Sequence, residues 1–291
     1  MAINLSKVSF AYEKISINKK KVPHYVLKDI NLCINDEASF ITILGHTGSG
    51  KSTLVQLFNG LLSPSIGEVN VFNKIINNKK KSKLKEVRKR VGLVFQFPEY
   101  QLFEETVLKD VMFGPKNFGL DNIEERSKNA LLKVGISEDL FEESPFSLSG
   151  GQMRRVAIAG ILASNPDILI FDEPTVGLDP KGKKELLDLL IELNETDNKT
   201  IIFITHDMEV VARCSKRVIV LNQGVITFDG TKDELFRNSE IVSKNGLDYP
   251  ESIKILKEIK DKLNIDINIY QYNIYDCYKE IARVLGETHE W

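Results

Sequence analysis

A glycine-rich stretch near the start of the chain constrains its fold more than any other feature. It fits the phosphate-binding loop (P-loop) pattern G-x-x-x-x-G-K-[ST], whose glycines let the backbone approach a phosphate closely. The apolar run at residues 40–44 predicts a buried strand before the loop, and residues 52–58 have the apolar spacing of a helix after it. The predicted nucleotide-binding residues of this stretch are Gly45, His46, Thr47, Gly48, Ser49, Gly50, Lys51, Ser52 and Thr53.

The chemistry of the loop follows from its backbone and from two side chains. Successive N–H groups form an anion-binding nest, and the N-terminus of the following helix adds its positive dipole. We expect Lys51 to reach the β- and γ-phosphates and the Ser52 hydroxyl to ligate Mg²⁺. A chance glycine-rich turn is the alternative, but the strand–loop–helix context favours nucleotide binding.

Composition excludes several classes of protein for this 291-residue chain. A net charge of −2 gives no general electrostatic case for a nucleic-acid partner. Cys33, Cys214 and Cys277 are odd in number and form no C-x-x-C pair, which argues against a disulfide framework or a zinc site and fits a reducing, cytosolic compartment. There is no signal-peptide pattern and no apolar run near the roughly 20 residues of a membrane span, so we expect a soluble chain that can still dock on a membrane partner.

The order of the remaining patterns predicts an α/β domain with additions. Alternating strands at residues 3–10 and 25–34 precede the P-loop, where a simple doubly wound fold would have none, and residues 13–23 between them are predicted as a hairpin loop. Residues 68–72 resemble another edge strand. We interpret the basic run at residues 79–90 as a solvated face. The overall charge balance gives no support to the alternative, a contact with anionic lipid or nucleic acid.

The middle of the chain is predicted to be helical, and residues 251–263 near its end are predicted as an amphipathic helix. Helices at residues 106–113 and 124–134, separated by the breakers Gly114-Pro115 and Gly119, indicate a helical subdomain at about 100–165. From about residue 247 the composition changes. We therefore assign residues 1–240 to the main domain and residues 241–291 to a C-terminal appendage for packing or dimerisation.

Polar side chains end three further apolar runs. Gln96 follows residues 91–95, Asp172 and Glu173 end the run that begins at residue 168, and His206 follows residues 200–205. In a parallel sheet such strand ends lie at the face where ligands bind. The alternatives to a role in ligand binding are that His206 is a hydrogen-bonded surface histidine and that Asp172 and Glu173 are solvated turn residues. The strand-end positions argue against both.

A serine and two glycines stand at the start of another predicted helix, over residues 152–163. Taken alone, this sequence is only a good N-cap. Taken with the P-loop, the strand-end residues and a G-L-D loop in this order, the chain resembles the nucleotide-binding subunit of ABC transporters over about residues 1–240. The resemblance implies an α/β fold of the P-loop NTPase, ABC ATPase type, with a mixed, mostly parallel core sheet, an antiparallel β subdomain, a helical subdomain and a small C-terminal appendage.

The resemblance also implies roles for these residues in ATP hydrolysis. The implied catalytic residues are Glu173, which would activate the attacking water, His206, Lys51 and Gln96. The implied Mg²⁺ ligands are Ser52, Gln96 and Asp172. Tyr12 would stack on adenine, where the alternative is ordinary packing, and Asp179 of the D-loop would cross a dimer interface, where the alternative is an Asp-Pro turn.

In this family the signature binds the ATP that is held by another subunit, chiefly through its serine and second glycine. The corresponding residues are Leu148, Ser149, Gly150, Gly151 and Gln152. Because this chain has one P-loop and one signature, it must pair with another chain, and two ATP molecules would join a head-to-tail dimer.

A finer resemblance is to the ATPases of energy-coupling factor (ECF) transporters, and within them to the second of two paralogous subunits. It rests on residues 95–107, 113–117 and 152–160 and on the appendage. The implied partners are a paralogous ATPase in a heterodimer (or a second copy in a homodimer), a transmembrane coupling protein bound around residues 96–103, and interchangeable substrate-binding membrane proteins. The implied cargo is a vitamin or a transition-metal ion, the implied location is the cytoplasmic face of the cell membrane, and no nucleic acid is implied.

Other functions stay open from sequence. The chain resembles the ATPase of another importer class less closely. Soluble ABC ATPases of DNA repair or translation usually carry a coiled-coil insertion or two cassettes, and neither is present. A non-catalytic nucleotide-gated module would not need Glu173, His206 and a complete signature.

Overall fold

The computed structural model describes residues 1–13, 23–77 and 84–286. Most of the predicted hairpin loop and the first part of the basic run lie outside these residues. The strands are β1 (Ile3–Phe10), β2 (Leu27–Ile34), β3 (Phe40–Leu44), β4 (Ile66–Val71), β5 (Lys74–Ile76), β6 (Val91–Val94), β7 (Ile168–Asp172), β8 (Thr200–Ile204), β9 (Arg217–Asn222) and β10 (Val225–Gly230).

Helices connect and cover these strands. They are α1 (Lys51–Phe58), α2 (Lys85–Arg90), α3 (Val107–Phe118), α4 (Ile123–Lys133), α5 (Gly150–Leu162), α6 (Pro180–Glu195), α7 (Met208–Cys214), α8 (Lys232–Arg237), α9 (Ser239–Lys244), α10 (Glu251–Leu263) and α11 (Ile274–Leu285), with short 3-10 helices at Pro98–Gln101, Glu138–Leu140 and Pro145–Ser147. Within the described ranges, no helix is both long enough and apolar enough to cross a bilayer.

Two sheets form the framework. An antiparallel sheet has the order β2-β1-β4-β5, and a six-stranded sheet has the order β10-β9-β3-β8-β7-β6. In the larger sheet, β9, β3, β8, β7 and β6 are parallel and only β10 is antiparallel. The predicted mixed α/β fold with a separate antiparallel sheet is confirmed.

The central strands are apolar throughout because both faces of the large sheet are buried. On one face, Ile43 and Ile204 pack with α1 and the antiparallel sheet. On the other, Phe171 and Phe203 pack with the helical region. Since the strands are parallel, their carboxyl ends meet at one edge, and this edge carries the polar residues predicted from the sequence.

A third apolar cluster joins the C-terminal helices to the large sheet. Leu44 and Val220 of the sheet pack in it with Phe236, Val242 and Ile253 from α8, α9 and α10. Leu44 directly precedes the P-loop, so the C-terminal segment is packed behind the loop rather than separate from it.

The predicted break at Gly114-Pro115 is wrong, since α3 continues to Phe118 and ends at Gly119. Gly114 serves close packing there: a Cβ added to it would lie 2.9 Å from the Ser164 hydroxyl and 3.1 Å from the Gly160 carbonyl. A helix pair in close contact therefore overrides the local preference for a break.

Candidate active site

The P-loop joins β3 to α1 and is held against the neighbouring strand. Gly45 has φ +148°, and a Cβ there would lie 2.1 Å from the Leu221 carbonyl oxygen of β9. The Lys51 ammonium donates to the carbonyls of Gly45 at 2.8 Å and His46 at 3.0 Å, so its charge lies over the loop. Within the described ranges, the buried Ser49 hydroxyl has no hydrogen-bond partner. A bound phosphate oxygen would satisfy it, so the loop fits a phosphate.

Two glycines of this loop allow a matched stability test. Gly48 also has a positive φ, +80°, but nothing lies within 4 Å of an added Cβ. We expect Gly48→Ala to cost about 1–2 kcal/mol from backbone strain alone. Gly45→Ala should cost about 1–3 kcal/mol more, because its methyl group also meets the β9 backbone. Urea denaturation of the two variants measures the difference, and equal losses would contradict the close packing of Gly45.

The strand-end carboxylates and the histidine meet beside the P-loop. Asp172 ends β7 and is 8% exposed. Glu173 follows with φ +49°, and its N–H donates to the Ile204 carbonyl at 3.1 Å. His206 Nδ1 lies 3.7 Å from Glu173 Oε2, on a side chain that is mostly exposed. This places a half-buried carboxylate next to an accessible imidazole, an arrangement that can orient and deprotonate a water molecule.

Burial governs the electrostatics beside these residues. Desolvation raises the pKa of Asp172, an effect that a hydrogen bond from the Ser52 hydroxyl partly offsets. Desolvation lowers the pKa of Lys51, while Glu173 and Asp172 act in the opposite direction. A buried carboxylate that contacts a hydroxyl is an oxygen donor set of the kind Mg²⁺ takes together with phosphate, so Ser52 and Asp172 fit this ion.

Asp172→Asn tests the cost of this buried charge. Because the folded-state pKa is raised, Asp172 favours the folded state below the unfolded-state value of 3.8, and that contribution is lost as pH rises through the folded-state pKa. We therefore expect the nucleotide-free variant to gain unfolding free energy relative to the wild type as pH rises from acid to neutral. Denaturation across this range measures the gain, and a constant difference would contradict it. The rate of ATP hydrolysis by Asp172→Asn should fall about 100-fold or more.

Two further predicted residues lie around this edge. Gln96 is exposed two residues beyond the end of β6, whose Val94 pairs with Phe171 of β7, so it lies at the same edge as Asp172 and Glu173. Tyr12 is 64% exposed, and its hydroxyl is 3.0 Å from the Thr53 hydroxyl in α1. The exposed ring of Tyr12 thus stands beside the P-loop helix, where a nucleotide base can stack.

The signature lies at an exposed helix start. Ser149 caps α5, and its hydroxyl and the Gln152 side chain form a reciprocal capping box. Nothing in the described chain lies within 4 Å of a Cβ added to Gly150 or Gly151, so this N-terminus is open. Within the described ranges, no hydrogen bond or ion pair links it to the P-loop. Asp179 is the N-cap of α6 and accepts a hydrogen bond from the Gly182 N–H at 2.7 Å, with Pro180 as the first residue of the helix.

Sequence reasoning missed two residues that contact the site loops. Arg154 of α5 binds Glu99 and the backbone that follows Glu173. Gly246, at the end of α9, lies so close to His46 that an added Cβ would be 2.5 Å from its Nε2. Neither contact has a local signal, because each pairs segments that are distant in the chain.

Comparison with known proteins identifies the family of this chain. Residues 27–176 match the ABC transporter family. The chain is 50% identical over 292 residues to the energy-coupling factor transporter ATP-binding protein EcfA2 of Caldanaerobacter subterraneus subsp. tengcongensis, covering 99% of both chains. The EcfA2 of Bacillus subtilis is 49% identical over 258 residues, covering 88% of this chain and 93% of that protein.

The chain belongs to the ECF transporter ATP-binding proteins of the ABC family. Two solved structures agree with this assignment. One is cbiO1 from Clostridium perfringens, described as part of the ABC transporter complex cbiONQ, with a TM-score of 0.72 and 36% identity over 90% of this chain and 98% of that chain. The other is a dimeric ATP-binding cassette in a post-hydrolysis state with ADP and Pi, with a TM-score of 0.68 and 33% identity over 79% of this chain and 98% of that chain.

This assignment confirms the predicted family and activity. The ECF ATPase is an ATP-binding and ATP-hydrolysing subunit of an ECF-type ABC importer. The P-loop edge described above is the part of the molecule suited to bind the nucleotide.

Proposed function

We propose that this ECF ATPase is one half of a two-cassette ATPase, paired head-to-tail with a paralogous subunit, and that it drives a membrane coupling protein at the cytoplasmic face of the cell membrane. The observation that carries the proposal is the open N-terminus of α5, where nothing in the described ranges lies within 4 Å of a Cβ added to Gly150 or Gly151. An unused anion site of this kind suits the ATP of a second subunit. Substrate-binding membrane proteins would complete the importer, with a vitamin or a transition-metal ion as cargo.

The chemistry at the P-loop edge is transfer of the γ-phosphoryl group to water. Lys51 and the loop N–H groups bind the phosphates, and Tyr12 stacks on adenine. Glu173 accepts the proton of the attacking water, and His206, 3.7 Å from it, supports the position of that water. Ser52, Asp172 and Gln96 would hold Mg²⁺, which when bound would supply positive charge to neutralise the phosphate oxygens.

The partner subunit completes the site. Ser149 and Gly151 supply a helix N-terminus to the γ-phosphate held by the partner, where the positive end of the helix dipole stabilises transferred charge. Asp179 follows Glu173 by six residues in the chain. We assign it to the contact across the interface. Each cassette thus contributes to two sites, so hydrolysis requires the pair.

A groove beside the Gln96 loop suits the membrane coupling protein. Its volume is about 460 Å³, and it is lined by Leu102, Phe103 and Phe113 together with Arg88 and Asp110. The aromatic side chains on and around it are unusually exposed for their size. They are Phe97 at 41%, Tyr100 at 84%, Phe103 at 56% and Phe113 at 44%. Exposed aromatic patches of this kind mark protein contacts.

Tyr100→Asp tests this surface. The side chain is 84% exposed, so the free energy of unfolding should stay within about 0.5 kcal/mol of the wild-type value. Recovery of the membrane coupling protein should fall about tenfold or more, because a charge would replace an exposed aromatic contact directly beside the groove, one residue before Gln101 of its lining. Native pulldown from membranes measures recovery. Ile75→Asp, at a 46% exposed position on the edge strand β5, is the control, and equal losses for both would contradict the assignment.

The C-terminal segment offers a second contact surface, and we assign residues 241–291 to pairing of the two cassettes. Helix α11 has no buried residue among those described, although one of its faces is apolar. Ile274 is 88% exposed, Tyr275 61% and Leu285 61%. Residues 1–240 then form the ATPase domain, with the helical subdomain at about 100–165.

A native pulldown with tagged protein tests the proposal as a whole. We expect a second ATPase of this type and an integral membrane coupling protein to co-purify, and the accompanying small membrane proteins to identify the cargo. Recovery of soluble partners or nucleic acid alone would leave the ATPase chemistry standing and overturn the transport assembly. Recovery of this chain alone with the membrane proteins would favour a homodimer over the heterodimer.

A further inference from the structure

One buried arginine joins the three segments that carry the proposed catalytic and signature residues. Arg154 lies two residues after Gln152 in α5 and is 6% exposed. Its guanidinium contacts Glu99 in the loop that follows Gln96, and it contacts the backbone of the segment between Glu173 and Asp179. No other described residue makes this set of hydrogen bonds.

The geometry of these contacts is specific to arginine. Nε donates to Glu99 Oε2 at 3.2 Å and Nη2 donates to Glu99 Oε1 at 3.1 Å, a bidentate pair. Nη1 donates to the Pro174 carbonyl at 3.1 Å and the Val176 carbonyl at 2.9 Å. Both side chains of the ion pair are largely buried, at 8% and 15% exposure. A planar fork can make all four bonds at once, whereas a lysine ammonium has neither the shape nor the number of donors.

The backbone held by Arg154 is the one that carries the proposed general base. Pro174 directly follows Glu173, whose φ of +49° is unusual for a residue with a side chain. The Ile204 carbonyl holds Glu173 on the strand side at 3.1 Å, and Arg154 holds the next residues on the helix side. The conformation of Glu173 is therefore fixed from both directions.

We propose that Arg154 is a positioning residue that seats the Gln96 loop and the Glu173–Asp179 segment against the signature helix, so that Glu173 is aligned for hydrolysis only when both are in place. This inference rests on the proposed roles of Glu173 and Gln96. It gives a direct physical connection between the Gln96 loop, whose Gln101 and Leu102 line the groove for the coupling protein, and the site of hydrolysis. A shift of Glu99 on partner binding would be carried through one guanidinium to the residue after Glu173.

Arg154→Gln in the assembled complex tests the proposal. We expect kcat for ATP to fall about 10- to 100-fold, the range that a displacement of about 1 Å produces. KM for MgATP should stay within about twofold, because the P-loop makes no contact with Arg154 in the described chain. Arg154→Lys should restore little, since it keeps the charge without the fork.

A matched control separates positioning from ordinary stabilisation. Arg217 forms a bidentate pair with Asp229, with both distances at 2.7 Å, and also donates to the Cys33 carbonyl at 2.9 Å. It begins β9, at the opposite end of the sheet from the site. Arg217→Gln should lower the unfolding midpoint and leave kcat within about twofold. A loss of kcat that follows the unfolding midpoint equally in both variants would overturn the proposal.

A second variant covers the case in which Arg154→Gln does not fold. Glu99→Gln keeps every backbone contact of Arg154 and removes only the charge that orients it, and we expect kcat to fall about tenfold with KM unchanged. Wild-type kcat in Glu99→Gln would overturn the inference. Glu173→Gln serves as the reference: if it hydrolyses ATP normally, the proposed function fails, and if it is inactive while Glu99→Gln is normal, only the inference fails.

Discussion

Glu173→Gln is expected to lower kcat for ATP by about 10²- to 10⁴-fold, the usual contribution of a general base. Glutamine keeps the shape of the side chain and cannot accept the proton of the attacking water. It is also unbranched, so the backbone at φ +49° should be retained and the protein should fold normally. The rate of phosphate release by the purified complex measures the effect.

The same variant should retain ATP and stabilise the closed pair. The P-loop contacts of Lys51 with Gly45 and His46 do not involve Glu173, so nucleotide affinity should stay within about threefold. Because hydrolysis would no longer release the two cassettes, ATP should increase their association, measured by size-exclusion chromatography with and without ATP. Absence of any ATP-dependent change in association would contradict the closure mechanism, even if hydrolysis is lost.

An exposed carboxylate provides the control for this substitution. Glu185 on α6 has a side chain that is 49% exposed and makes only long contacts of 3.9 Å with Lys181 and Arg155. Glu185→Gln should change kcat by less than about twofold, as expected for a surface ion pair of little energetic weight. If both substitutions reduce kcat alike, the loss at Glu173 cannot be assigned to proton transfer.

The parallel core and most of the site were predictable because their signals are local. A strand buried on both faces has to be apolar at every position, so β7 and β8 stand out as uninterrupted runs. The polar residue after each run then lies at the ligand-binding edge by topology alone. Asp172, Glu173 and His206 were found in this way, and the structure brings them together.

The features that the sequence did not reveal depend on contacts between distant segments. Gly114-Pro115 has the pattern of a helix break, and only the close approach of α5 explains why α3 continues through it. Arg154 looks like one more charged residue on a helix, and its burial follows from a carboxylate that lies 55 residues earlier in the chain. Helix α9 was missed because it is only six residues long, whereas α11 was missed although the Asn273 N-cap, an apolar face and Gly286 at its C-terminal end are local helix signals.

Gly151→Asp is expected to abolish most hydrolysis without weakening the fold. Gly151 is the second residue of α5, and nothing in the described chain lies within 4 Å of an added Cβ. An acidic side chain in the first turn favours the helix dipole by about 0.3–1 kcal/mol, so the unfolding midpoint should stay equal or rise. The same charge would repel the γ-phosphate of the ATP on the partner subunit, and we expect kcat to fall about 100-fold or more.

Gly151→Asn separates charge from size, because asparagine has nearly the shape of aspartate without its charge. A smaller loss of kcat in Gly151→Asn than in Gly151→Asp would identify electrostatic repulsion as the main cause. ATP binding to the isolated chain should be unchanged in both variants, since no P-loop atom in the described ranges lies within 4 Å of a Cβ added to Gly151. If Gly151→Asp instead weakens ATP binding in the isolated chain, the signature serves the P-loop of its own chain and the head-to-tail pair is wrong. The expected result is therefore an intact fold, normal ATP binding and a complex that no longer hydrolyses ATP. This combination would show that Gly151 acts on the ATP held by the other subunit.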